Sequence, residues 1–158
     1  MLDEINAKGL RRYSEAVAKG LIEPRIKPLT DALYESGAHP LASCEGHVLG
    51  VSRKGLGWIF PTFIRQSPPS KILSRPYVMF SAKQSYAKHF QCGIDHHVGT
   101  GAFFCNWSLR AHFVPGEYEL VWMIELADTR LIDQRLDLKE AQQDISVLAR
   151  IAREAAKK

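Results

Sequence analysis

The chain has 158 residues, of which 46% are hydrophobic and 24% charged, with a formal net charge of +4. These values fit one globular domain over residues 1–158 with a core of its own, and no apolar run reaches the roughly 20 residues a bilayer span needs. The basic residues are scattered (Arg11-Arg12, Arg53-Lys54, Lys83, Lys88, Lys157-Lys158), so RNA or another polyanion is permitted as a partner, while the dense basic stripe of a sequence-specific DNA binder is missing.

The opening Met1-Leu2-Asp3-Glu4 carries early acid and no basic-then-apolar signal pattern, and the chain reads as cytoplasmic. Residues 3–19 have a helical apolar spacing, with Asp3 as N-cap and Gly20 as the stop. Pro28 opens a second helix over 28–36, ended by Gly37. A short strand then leads into Ser43-Cys44-Glu45-Gly46-His47. Short strands separated by glycine turns are expected around Val48–Ser52 and Trp58–Phe60. The proline- and serine-rich stretch 66–75 reads as an exposed loop.

Tyr77-Val78-Met79-Phe80 is a compact strand, and Lys83–Gln91 a short helix. Gly93, Gly99 and Gly101 then predict a loop around Asp95-His96-His97. From Phe103 to Phe113 every second residue is apolar, with Asn106, Ser108, Arg110 and His112 among the residues between. After Val114-Pro115-Gly116-Glu117 the alternation resumes through Tyr118, Leu120, Trp122, Ile124 and Leu126, which predicts an antiparallel hairpin with both tryptophans facing the core. From Leu138 a helix with Asp137 at its N-cap carries the apolar stripe Ala141, Ile145, Leu148 and Ala152. The order predicts an α+β fold: a mainly antiparallel sheet with a long C-terminal hairpin, and helices packed on it.

The Cys44 loop is the best candidate site. A thiol, a carboxylate and an imidazole lie within four residues, and Gly46 permits a sharp turn. Cys44 could act as nucleophile and Glu45 or His47 could move protons; the competing reading is a tight turn with Cys44 packed as a small apolar residue. Ser43, Arg75 and Tyr77 are candidate ligand-binding neighbours, as are Arg110 and His112 on the polar face of the hairpin. Phe113, Tyr118, Trp107 and Trp122 could stack bases, but their alternation assigns them to the core first.

The three cysteines, Cys44, Cys92 and Cys105, are an odd count with no C-x-x-C, which argues against a disulfide framework and a finger-type zinc site. His39, His89, His96 and His97 add metal-ligating types. Spacing alone does not bring them together, so no metal ligands are assigned and zinc is not expected. The function is read as an enzyme-like or ligand-binding domain; the alternative is a non-catalytic binding module for a protein or nucleic-acid partner.

A helix ending in glycine, a short strand, then Ser-Cys-x-Gly and a basic residue resembles the tRNA wybutosine-synthesis methyltransferase family, which carries Ser-Cys-Ser-Gly-Arg where this chain has Ser43-Cys44-Glu45-Gly46-His47. The strand Arg75-Pro76-Tyr77-Val78-Met79-Phe80 fits the same layout. Uncharacterised bacterial proteins with a Cys-x-Gly-His loop are similar. His47 departs from the family's arginine, and the hairpin matches no family motif. The resemblance implies S-adenosylmethionine and tRNA as ligands, hence tRNA modification.

Overall fold

A computed structural model describes residues 12–49, 71–113, 120–131 and 136–158. Helix α1 covers 12–18, followed by α2 (Lys27–Glu35), β1 (His39–Cys44), β2 (His47–Leu49), β3 (Lys71–Ser74) and β4 (Tyr77–Ser81). Then come α3 (Gln84–Gly99), β5 (Trp107–Phe113), β6 (Leu120–Leu126) and α4 (Leu138–Ala155). Four strands make an open antiparallel sheet in the order β1-β4-β6-β5, and β2 with β3 form a separate two-stranded ribbon.

The architecture is α+β, with α4 packed on both α2 and α3. Val78 and Phe80 of β4 and Ile124 and Leu126 of β6 turn one sheet face toward Leu29, Leu33, Phe90, Ile94, Ile145, Leu148 and Ile151 of those helices, all fully buried. Tyr13 ties α1 to α2, its hydroxyl donating to Asp31 Oδ1 at 2.7 Å.

The expected C-terminal hairpin is a correction. The last element is the helix α4, and the β5–β6 hairpin lies inside the chain at one edge of the sheet. The reason is the stripe on α4: Ala141, Ile145, Leu148 and Ala152 are all buried, so the tail returns across the sheet and covers its apolar face. The hairpin pairs Trp107 with Leu126, Leu109 with Ile124 and Ala111 with Trp122. Trp107 is buried, and Trp122 is half-buried against the core with its indole N–H donating to Ala82 O.

Three further expectations change. Residues 103–106 continue the alternation but are not strand, because the Asp144 carboxylate on α4 takes the backbone N–H groups of Phe104 and Cys105 at 2.9 Å each. Helix α3 runs through the expected glycine loop to Gly99. Gly93 does not stop it: a Cβ there would lie 2.4 Å from Ile151 Cγ2, so the glycine makes room for an α4 side chain against α3. Lys71–Ser74, expected within a loop, is strand β3. The start of the first helix, the turns and strands expected over 50–60, the loop residues before 71 and the hairpin turn 114–117 lie outside the described residues.

Asp144 is fully buried and also accepts from the Trp107 indole N–H at 2.9 Å. One carboxylate thus holds the chain segment that feeds β5. Asp144→Ala should lower stability by about 3 kcal/mol or more in urea denaturation, since each buried donor left unpaired costs about 1–3 kcal/mol. A change within about 0.5 kcal/mol, the range of a surface substitution, would show that residues 103–107 are held by other contacts.

Candidate functional site

Strand β1 ends at Cys44 opposite Tyr77, and β2 begins at His47 opposite Ser74. The two antiparallel strand pairs meet at a corner, where Glu45-Gly46 links β1 to β2 and Arg75-Pro76 links β3 to β4. Gly46 makes the bend. Its φ is +85°, a left-handed value that side chains with a Cβ resist. It is also buried: a Cβ there would meet Leu138 Cδ1 and Pro76 Cδ, each at 2.8 Å.

At this corner three ligand-type atoms from Glu23, Cys44 and His47 lie within 4.8 Å of one another. Cys44 and Glu23 are half-buried, and the His47 side chain is 51% exposed. Glu23 comes from the turn before α2. Its Oε1 contacts His47 Nε2 at 2.7 Å, and its Oε2 accepts the Glu45 backbone N–H at 2.7 Å. Cys44 Sγ lies 3.4 Å from Ser74 Oγ and accepts the Gly46 backbone N–H at 3.4 Å.

Glu45 has a different place. Its Oε2 accepts the Arg25 backbone N–H at 2.8 Å, and its carbonyl accepts from Gln142 Nε2 at 3.3 Å. The Arg25 guanidinium donates to Gln142 Oε1, which closes a ring of contacts around the corner. Glu45 therefore braces the loop against the turn before α2 and against α4, and Glu23 supplies the carboxylate beside the imidazole.

The other expected site residues spread out. Ser43 pairs with Val78, on the helix-covered face, and lines a small cleft of about 170 Å³ with Tyr13, Ile22 and Pro40. Arg75 is exposed at the outside of the corner. Tyr77 shares the Cys44 face, and that row continues across the sheet through Glu125 to Ser108. Three strand spacings separate the ends of the row, roughly 14 Å. Arg110 lies at that far side, with Nε 3.5 Å from Glu125 Oε1 and 3.1 Å from Ser108 Oγ. His112 pairs with Val121 one step further, its Nε2 buried with no partner among the described residues. Arg110 and His112 thus stand apart from Cys44.

The remaining metal-type residues do not converge. His89, Cys92, His96 and His97 all lie on α3, where His97 Nδ1 sits 2.8 Å from Gly93 O. His39 lies at the start of β1, at the opposite end of the strand from Cys44, and burial lowers its pKa. Cys105 is buried, which pushes its thiol up to about 12 and keeps it protonated and unreactive. Among the described residues, Glu23, Cys44 and His47 are the only such cluster. Glu23 and Ser74 were not signalled by the sequence, because neither sits in the motif and each arrives from a different turn or strand. Comparison of the chain with protein-family models, curated proteins and solved structures finds no match.

Gly46→Ala should destabilise the protein by about 2 kcal/mol or more, combining a left-handed backbone with overpacking against Pro76 and Leu138. His47→Ala should change stability by no more than about 0.5 kcal/mol, as an exposed side chain does. Denaturation midpoints of the two variants, measured side by side, check this. Equal losses would mean that His47 is part of the brace and not of a working site.

Proposed function

We propose that this chain is an enzyme-like ligand-binding domain whose working centre is the Glu23–Cys44–His47 corner. One observation carries the reading: a thiol, an imidazole and a carboxylate from two separate parts of the chain meet within 4.8 Å on a partly exposed loop that buried contacts hold in place. Half-exposed polar groups are dispensable for a core, and rigid support for such groups is what a binding or catalytic site needs. The Glu23 carboxylate can accept the Nε2 proton of a neutral His47, which orients the ring and leaves Nδ1 as an acceptor.

The substrate class we attach to this centre is RNA, with tRNA modification as the reaction and S-adenosylmethionine as the cosubstrate. Its support is the Ser-Cys-x-Gly resemblance, together with Arg75, exposed beside Ser74 and able to meet a phosphate. The net charge of +4 agrees with a polyanionic partner.

Thermal unfolding with S-adenosylmethionine, and separately with bulk tRNA, tests the proposal. A ligand at 100 times its Kd adds about 2.7 kcal/mol, which in a domain of this size raises the midpoint by roughly 5–10 °C. We expect such a shift with at least one of the two, and its loss in Arg75→Glu or in Cys44→Ser. No shift with either ligand would remove the tRNA reading, and shifts unchanged in both variants would place binding away from this corner.

A further inference from the structure

We propose that Glu23, Cys44 and His47 together bind one zinc-class divalent cation, in a site with three protein ligands and one open position. The inference rests on reading this corner as the working centre, and it adds the identity of what the corner binds first.

The donor types select the ion. One sulfur, one imidazole nitrogen and one carboxylate oxygen suit zinc, cobalt(II) or nickel(II). Magnesium and calcium favour sites made of oxygen alone. Cys44 and His47 are three positions apart, a C-x-x-H step, and the left-handed Gly46 between them turns the chain so that both meet Glu23.

The distances also fit. A tetrahedral ion with bonds of about 2.0–2.3 Å sets its ligand atoms about 3.3–3.6 Å apart. The three donors already lie within 4.8 Å, so closing on an ion asks for shifts of about an ångström in half-exposed side chains. The Glu23–His47 contact at 2.7 Å would open by about half an ångström, with the ion taking the place of the hydrogen bond.

The supporting contacts are those a metal site requires. The Gly46 N–H donates to Cys44 Sγ. The Glu45 N–H fixes one oxygen of Glu23 and leaves the other toward His47. Glu45 is in turn held by Arg25 and Gln142. Such outer partners orient ligands and tune affinity. The exposed half of His47 leaves a path from solvent.

A cysteine–histidine–carboxylate nucleophile system explains the corner less well. It needs the thiol hydrogen-bonded to the imidazole. Among the described residues Cys44 Sγ meets Ser74 Oγ and the Gly46 N–H instead. Binding of the ion releases the thiol proton to solvent, so apparent affinity falls as pH falls.

The test uses the full chain, stripped with a chelator and dialysed, then titrated with zinc by calorimetry and with cobalt(II) by absorbance. We expect one ion per chain and a thiolate-to-cobalt charge-transfer band in the near ultraviolet. Cys44→Ser should abolish the band. Glu23→Gln and His47→Gln should each weaken zinc binding by more than about 100-fold, beyond the 10–100-fold typical of outer-shell partners. Cys92→Ser, at an exposed thiol on α3, should leave both titrations unchanged. Circular dichroism confirms that each variant is folded; were Cys44→Ser to unfold, the exposed His47→Gln carries the test. Absence of 1:1 binding, a band that survives Cys44→Ser, or one lost in Cys92→Ser would overturn the proposal. Repeating the S-adenosylmethionine and tRNA unfolding on stripped and zinc-loaded protein separates the two readings: zinc bound at the corner with no ligand shift keeps the metal site and drops RNA, and a ligand shift without zinc binding does the reverse.

Discussion

The corner at Gly46 depends on the absence of one carbon atom. No Cβ fits between Pro76 and Leu138, and the +85° φ excludes most other residues on backbone grounds as well. This one constraint sets the bend between the four-stranded sheet and the β2–β3 ribbon. It also sets where α4 begins, since Leu138 opens that helix against the glycine. The same bend turns Cys44 and His47 toward one side and frees the flanking backbone N–H groups to meet Sγ and the Glu23 carboxylate. Fold and site thus share a single point of contact, and the site's geometry is inherited from the packing of the core.

Helix α4 is the second support. Its buried face carries both the apolar stripe that covers the sheet and the Asp144 carboxylate that holds three donors of the segment leading into β5. A buried carboxylate is costly unless it is hydrogen-bonded, and three donors at 2.9 Å satisfy both oxygens of Asp144. Gln142, two residues before Asp144, reaches the other way, to Glu45. One helix therefore braces the hairpin edge and the corner together.

What the sequence made legible follows period and proximity. The alternation from Phe103 to Leu126 showed the hairpin, four residues too long at its start, and the stripe Ala141–Ala152 showed α4, because each pattern repeats over several residues. The order of these elements in space was not legible. The closing helix itself was legible from its stripe and N-cap; which faces of the sheet and helices it packs against depends on which apolar faces meet, and no local pattern encodes that. Gly93 misled for a related reason: a glycine that ends a helix and one that lets two helices touch look alike until Ile151 is in place. At the site, Cys44 and His47 were readable from one short motif. Glu23 lies 21 residues before Cys44 and needed the fold to bring it there, and Glu45 proved to be a brace because adjacent residues on an extended chain project to opposite sides.

Charge gives the corner its last constraint. Glu23, Cys44 and His47 meet at the corner, and the Glu45 carboxylate is held nearby by the Arg25 backbone amide. No lysine or arginine nitrogen forms an ion pair with Glu23 or Glu45 among the described residues; Arg25 uses its backbone N–H on Glu45 and its guanidinium on Gln142. A dication neutralises the thiolate and the Glu23 carboxylate together, which is the charge balance that a one-sulfur, one-oxygen, one-nitrogen ligand set provides.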